Sequence, residues 1–418
     1  MSNSTTRIAL YIGNELYPTG NTIPTATIAT LQASPLTSPI LSLLNNDTSN
    51  NTLVYNDGGN PMFDSSGAFI GPSVWKATIA ALRNNTIREV YMSFSTNGTD
   101  WMAGLLTSNH AAAMDILSYL KNTLGLDGID LDYEGDISSS SNMYPVAAAA
   151  VSVGLKLTAA PYFSSGDWQA WVEYIQGLGG TVSWLNLQCY AGGKSNNPGD
   201  WNYIGVPIVA GSCKSCGAPQ TTCSPDDMQA LFTLWRTGTG SVSQQCWSGV
   251  PNTQPQSIGG GFIWAYSSIA GALFMPYMNA MEAGLGMYTV QANQTWQNTG
   301  VTVAQGNTLS INYQSGLWTA DPQTNGGNLY DAAGCPGITV TQPGYTLLGV
   351  NMGALCAFIG SQPVGDGSDP AFLVGDGYSG TSQASGQLWL CIDDDLQGRY
   401  GVGLSDNIGS VTVTIAIS

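Results

Sequence analysis

Leu126-Asp127-Gly128-Ile129-Asp130-Leu131-Asp132-Tyr133-Glu134 sets carboxylates at positions 127, 130, 132 and 134, directly after an apolar helical pattern. Side chains alternate across a strand, so Asp130, Asp132 and Glu134 point to one face of an extended segment. Three like charges held that close cannot all ionise, and at least one proton stays on. A protonated carboxyl beside an ionised neighbour is what a general acid for glycoside cleavage requires. Only 9% of residues are charged in this chain, so the clustering asks for a reason.

Outward from this stretch, short apolar runs alternate with helical patterns through about residue 285. Strands are expected at Arg7–Ile12, Pro39–Leu44, Glu89–Phe94, Gly128–Leu131, Lys156–Ala160, Trp184–Gln188, Val206–Val209 and Gly260–Trp264. Helical patterns cover Ser73–Arg83, Asn109–Leu124, Asp167–Gln176 and Pro225–Arg236, the last opened by Ser224 as N-cap with Pro225 at the first helical position. Eight such strands in one run predict an α/β fold, a parallel (β/α)8 TIM barrel over residues 1–288. In such barrels chemistry sits at the carboxyl ends of the strands, and Glu134 falls just past the fourth. After Tyr288 helical periodicity gives way to alternating runs such as Leu388-Trp389-Leu390-Cys391-Ile392 and Val411-Thr412-Val413-Thr414-Ile415. Residues 289–418 therefore read as an all-β sandwich, joined to the barrel through Gln291–Thr299.

Composition excludes several functions. A net charge of −17 with 10 Lys and Arg residues argues against nucleic acid, whose phosphates need clustered cations. The balance suits a neutral ligand such as a carbohydrate. No apolar run is long enough for a membrane span, and the start lacks a recognisable signal peptide. His110 is the sole histidine, so a two-His metal site is impossible, and no Gly-x-Ser-x-Gly elbow accompanies it. Cys213, Cys216, Cys223 and Cys246 lie close together, while Cys189, Cys335, Cys356 and Cys391 are scattered. The close group reads as one or two disulfides pinning a long loop, with a four-cysteine zinc site and free thiols as alternatives. Cys189, Cys356 and Cys391 sit in apolar segments and are expected to be buried, inert thiols.

The segment Asp127-Gly128-Ile129-Asp130-Leu131-Asp132-Tyr133-Glu134 resembles the Asp-Gly-x-Asp-x-Asp-x-Glu signature of family 18 glycoside hydrolases, the chitinases and related endo-β-N-acetylglucosaminidases. Tyr91-Met92-Ser93-Phe94-Ser95, Leu157-Thr158-Ala159-Ala160-Pro161, Leu187-Gln188-Cys189-Tyr190 and Gly260-Gly261-Phe262-Ile263-Trp264 resemble that family's third, fifth, sixth and eighth strands, in order. The resemblance implies a secreted or extracellularly delivered enzyme that cleaves β-1,4 links next to N-acetylglucosamine, in chitin or chitooligosaccharides. It implies substrate-assisted, retaining catalysis with no cofactor. On it, Glu134 is the acid, Asp132 orients the acetamide, Asp130 supports Asp132, and Tyr190 gives a hydroxyl to the acetamide carbonyl. Gln188, Trp264 and Ser93 are the implied substrate contacts, Trp264 as an aromatic floor. Asp127 reads as a local acceptor of backbone N–H groups. An endo-β-N-acetylglucosaminidase acting on N-glycans and a chitinase-like lectin that binds without cutting are the alternative functions. Ser93-Phe94-Ser95-Thr96 departs from the family's Ser-x-Gly-Gly, and Ala191 stands where the small-enzyme branch often has Asn.

Gly386–Asp395 followed by Ser405–Val413 resembles the last two strands of calcium-dependent galactose-binding bacterial lectins. That resemblance implies a sugar-binding domain with calcium at Asp394, Asp406 and Asn407, and galactose-type glycans as possible partners. Oxygen ligands of this kind suit calcium. The loop corresponding to the lectins' sugar contacts reads Gly327-Asn328-Leu329-Tyr330-Asp331, without their His and Gln.

Overall fold

A computed structural model describes residues 6–56, 59–84, 86–217, 220–323 and 326–417. In chain order the first strands are β1 (Arg7–Ile12), β2 (Ser38–Asp47), β3 (Thr52–Tyr55), β4 (Pro61–Phe63), β5 (Tyr91–Ser95) and β6 (Gly128–Asp132). There follow β7 (Lys156–Ala159), β8 (Val182–Gln188), β9 (Ile208–Cys213), β10 (Ser215–Cys216), β11 (Thr221–Thr222) and β12 (Gly260–Trp264). Eight of these, β1, β2, β5, β6, β7, β8, β9 and β12, run parallel, and pairing of β1 with both β2 and β12 closes them into a barrel. Each of the eight hydrogen-bonds to a neighbour on both sides, so the ring itself has no edge, and helices pack outside it. The pair β3–β4 extends β2 as an antiparallel hairpin that the sequence pattern does not announce.

Each expected barrel strand forms, with shifts at the ends. The seventh begins at Ile208 and not Val206, because Pro207 has no N–H to give to the ladder. Helix α7 (Pro225–Thr237) carries the expected cap: Ser224 Oγ accepts from Asp227 N at 3.1 Å, and Asp227 Oδ2 accepts from Ser224 N at 3.4 Å. The expected helix 109–124 is α4 (His110–Ser118) running into a single π-helical turn at Tyr119–Thr123. Helix α3 (Thr96–Ser108) went unread because Gly98, Gly104 and several threonines dilute its apolar period. Gly128 in the acidic stretch has a packing cause: a Cβ there would strike the carbonyl of Lys156 and the ring of Tyr91.

The chain divides into two compact units, one up to Leu285 and one from Gly286. In the second, one antiparallel sheet has the order β13 (Met287–Gln291), β20 (Ile408–Ile417), β15 (Thr308–Thr319), β18 (Gly377–Thr381). The other has β14 (Gln297–Val303), β19 (Gly386–Ile392), β16 (Leu355–Gly360), β17 (Phe372–Leu373). Val290, Leu309, Ile311, Trp318, Val411 and Val413 from the first meet Val303, Leu355, Ala357, Leu388 and Leu390 from the second in one buried core. This is a β-sandwich. Residues 291–299, expected as a joint, instead end β13 and start β14, with Trp296 largely buried against Phe358.

Replacing Ser224 by Ala removes the Oγ that accepts from Asp227 N, leaving only the backbone half of the capping box, and should destabilise the barrel unit by about 1 kcal/mol. Urea unfolding of the full chain followed through tryptophan fluorescence checks this, with unchanged barrel stability as the contrary result.

Candidate active site

Asp130 lies inside the barrel and is fully buried. Its Oδ2 accepts from Tyr11 Oη on β1 at 3.0 Å and from Ser93 Oγ on β5 at 2.6 Å. Its Oδ1 accepts from Thr158 Oγ1 on β7 at 2.7 Å and from Asn186 Nδ2 on β8 at 3.1 Å. Burial pushes its pKa up, and the four donors pull it back. Ser93, expected among the substrate contacts, is itself fully buried beneath the cleft and serves this carboxylate.

Two residues on, Asp132 reaches the barrel mouth and stays partly exposed. Its pKa is pushed well above the usual carboxylate range, first by burial among protein atoms and then by the charges of Asp130 and Glu134. Asp130 has its lone pairs occupied by four donors, so the proton that crowding retains resides on Asp132. Gln188 Nε2 approaches Asp132 Oδ1 at 3.4 Å and donates to Ala160 O at 2.9 Å. Glu134 is exposed beyond the end of β6, and its backbone N–H donates to Thr96 Oγ1 at 2.9 Å. Here the departure from the glycine pattern has a use. Ser95 Oγ accepts from Gly98 N at 3.1 Å and caps α3, and Thr96 fixes the backbone that carries Glu134.

Asp127 sits at the opposite end of β6, where its Oδ2 accepts from Val90 N at 2.8 Å and pairs with Arg83 Nη2 at 2.7 Å. It is remote from the cleft side by the length of the strand.

Asp132, Glu134, Gln188, Tyr190 and Trp264 line one cleft of about 380 Å³, together with Tyr162, Ala191, Gly192, Cys216 and Gly217. Tyr190 is buried, and its hydroxyl is held neutral far above the ordinary tyrosine range by burial and by the charges of Asp132 and Glu134. It is therefore a hydrogen-bond donor at neutral pH. Trp264 packs on Tyr11 with ring centroids 5.1 Å apart. Sequence reasoning found the acids, Gln188, Tyr190 and Trp264 but missed Tyr11, Thr158, Asn186, Thr96 and Tyr162. Tyr11, Asn186 and Tyr162 lie outside the quoted motifs, and Thr158 and Thr96 lie within quoted segments that assign them no role. The one available signal was their place at or near the ends of barrel strands.

The four clustered cysteines form two disulfides, Cys213–Cys216 and Cys223–Cys246, which rules out the four-cysteine zinc arrangement. Cys189, Cys335, Cys356 and Cys391 are buried and take no part in either of these disulfides. His110 is exposed at the start of α4.

In the second unit, Asp321, Gln323, Tyr345, Asp394, Asp395, Tyr400 and Asp406 border a cleft of about 270 Å³. Asp394 is engaged on both oxygens, by Asp395 N at 2.7 Å and by Asn407 Nδ2 at 2.9 Å. Asp393 Oδ2, Asp395 Oδ1 and Asn407 Oδ1 are buried without a hydrogen-bond partner. Burial pushes Asp393 up to about 8 and Asp394 up to about 6. Orphaned, hard oxygens of this kind fit a cation in chemistry. Among the described residues, however, no three His, Cys, Asp or Glu side chains stand in ligand geometry.

No protein-family model matches the chain, and no curated protein matches it. Among solved structures it is similar to a chitinase of Chromobacterium violaceum at 17% identity, over 67% of this chain and 99% of that one, with a TM-score of 0.38. A Rhizomucor miehei chitinase matches at 13% identity over 66% and 99%, TM-score 0.39. A Bacteroides thetaiotaomicron chitinase matches at 12% identity over 67% and 96%, TM-score 0.40. At these levels the likeness carries no argument about activity. Among the described residues, no helix is long and apolar enough to cross a membrane.

The raised pKa of Asp132 has a sign that can be measured. In the unfolded chain the group ionises near 3.8, whereas in the fold it keeps its proton to higher pH. Its contribution to stability is complete below that value and is lost as pH rises through the folded pKa. Asp132→Asn should therefore unfold like the parent near pH 3.5 or below and become progressively more stable than it above about pH 4. Paired denaturant titrations across pH test this; a stability gap independent of pH would contradict it.

Proposed function

We propose that the barrel unit is a glycoside hydrolase that cleaves β-1,4 linkages next to N-acetylglucosamine in chitin or chitooligosaccharides. The observation that carries this reading is the convergence of Asp132, Glu134, Gln188, Tyr190 and Trp264 on one cleft above the fully bonded Asp130. In this reading the sugar's apolar face rests on Trp264, and Tyr190 donates to the N-acetyl carbonyl. In this step the proton that the acids retain at Asp132 passes to Glu134 as the substrate binds, the carbonyl oxygen attacks the anomeric carbon as Glu134 protonates the leaving oxygen, and the linkage breaks to give an oxazolinium-like intermediate, with Asp132 left ionised. Asp132 accepts from the acetamide N–H. The positive charge of the intermediate favours the ionised form of Asp132, so the stabilisation is greatest where the barrier lies. Glu134, now ionised, takes a proton from the water that attacks the same carbon, and net configuration is retained. Glu134 is exposed where a leaving group and water can reach it, whereas Asp130 cannot touch substrate and acts only as support. Two disulfides suit an oxidising compartment, in keeping with an extracellular polysaccharide as substrate.

For the second unit we propose carbohydrate binding assisted by calcium, held by Asp394, Asp406 and Asn407. The unpartnered Oδ1 atoms of Asp395 and Asn407 support this reading, as does the Tyr345–Tyr400 stack beside the same acids. Calcium would supply a Lewis-acidic point for sugar hydroxyls.

Glu134→Gln should lower kcat on a chromogenic chitooligosaccharide at least about 100-fold, the usual scale for losing a general acid, with little change in binding. Equal rates for the two proteins would remove the catalytic claim. Release of intact glycans from a glycoprotein, with chitin untouched, would assign the same acid to an endo-β-N-acetylglucosaminidase instead. For the second unit, calcium should raise its melting temperature and a chelator should reverse the shift. A transition indifferent to both would dismiss the ion.

A further inference from the structure

Strand β9 ends at Cys213, whose sulfur is bonded to Cys216 three residues on. The chain then makes the short hairpin β10–β11, and Cys223–Cys246 fixes its return. Cys216 and Gly217 face the cleft beside Asp132, Glu134, Tyr190 and Trp264. Cys213 is fully buried in the same apolar cluster as Tyr190 and Phe262, and Cys216 and Trp264 pack against that cluster. Register places Cys213 directly beside Trp264 on the neighbouring strand. Gly217 has φ +68°, and a Cβ there would collide with the methyl of Ala191 on the facing loop. At the rim, Ala191 N donates to Thr221 Oγ1 at 2.9 Å. The wall is thus held by Cys213–Cys216 on its cleft side, by Cys223–Cys246 where the chain returns, and by a few hydrogen bonds between them.

We propose that Cys213–Gly217 and the paired Thr221–Thr222 form a specificity wall for the saccharide, and that the Cys213–Cys216 bond sets how closely it holds the sugar, so that a dithiol reductant loosens recognition. This rests on the reading of the barrel as an N-acetylglucosamine-directed glycosidase. In the reaction, a thiolate of the reductant attacks the sulfur of Cys216, the more accessible of the two, and Cys213 leaves as thiolate. The reductant's second thiol then displaces Cys216, which leaves two cysteine thiols in the protein and one disulfide in the reductant. Cys223–Cys246 is less accessible, with both cysteines buried. Glu134 and Asp132 are carried by β6 and its following segment, with Thr96 and Gln188 as partners, so opening the Cys213–Cys216 bond leaves both acids in place. The effect falls on binding.

The full chain is assayed oxidised, after mild dithiothreitol treatment that peptide mapping shows to open Cys213–Cys216 alone, and after reoxidation. The Cys213→Ser/Cys216→Ser variant is assayed alongside, with its melting curve as a check of folding. KM for a chitooligosaccharide should rise about tenfold, one modest contact's worth of affinity, with kcat within about twofold and recovery on reoxidation. If the oxidised protein neither binds nor hydrolyses the oligosaccharide, the glycosidase reading fails and this inference with it. If it hydrolyses and KM is unmoved by selective reduction, the wall has no such role while the glycosidase stands. Should the double variant fail to fold, the reduced and reoxidised parent decides the matter, and a fall in kcat at constant KM would also overturn the proposal.

Discussion

The buried carboxylate of Asp130 is the constraint on which the rest of the barrel interior is arranged. A charge taken out of water costs several kcal/mol unless it is bonded on all sides. Tyr11, Ser93, Thr158 and Asn186 meet that demand from four different strands. The donors fix the register of those strands relative to one another, and they occupy barrel-interior positions that would otherwise carry aliphatic side chains. Removing any one would leave an oxygen of a buried acid with a single donor in place of two.

From that arrangement the proton inventory of the cleft follows. Asp130 is saturated with donors, so the crowding of acids along β6 is relieved at Asp132, whose pKa rises under burial and two neighbouring charges. Tyr190 stays a neutral donor for the same reason. Acids that look equivalent in the sequence thereby become different chemical species. Asp127, with Arg83 and the Val90 N–H as partners, belongs to the other end of the strand and to structure alone.

Much of the barrel was legible because period and spacing are local properties. Apolar runs of strand length, separated by helical periods and closed by Ser224-Pro225, mark the units without any knowledge of contacts. Misjudged boundaries trace to local chemistry too, as with Pro207, which cannot donate to the ladder. The hairpin β3–β4 and helix α3 were illegible because their residues have weak period; packing on β2 and a cap by Ser95 decide them. In the sandwich, the alternating runs were visible, but the segment 291–299 was mistaken for a joint because its polar sequence hides the burial of Trp296.

The sequence by itself determined that Asp130 and Asp132 share one face of a strand of an α/β barrel and that Glu134 follows just past its carboxyl end, because alternation along a strand is a rule of covalent geometry. It also set Gln188, Tyr190 and Trp264 at the ends of other strands. Only the tertiary structure decided which acid is buried and bonded, which keeps the proton and which faces solvent. The donors to Asp130 lie 28 to 119 residues away along the chain, and the charge state of a carboxyl depends on what surrounds it in space. The same holds for the disulfide wall: Cys213 and Cys216 are near neighbours in sequence, but their place beside Trp264 exists only once β9 and β12 are paired.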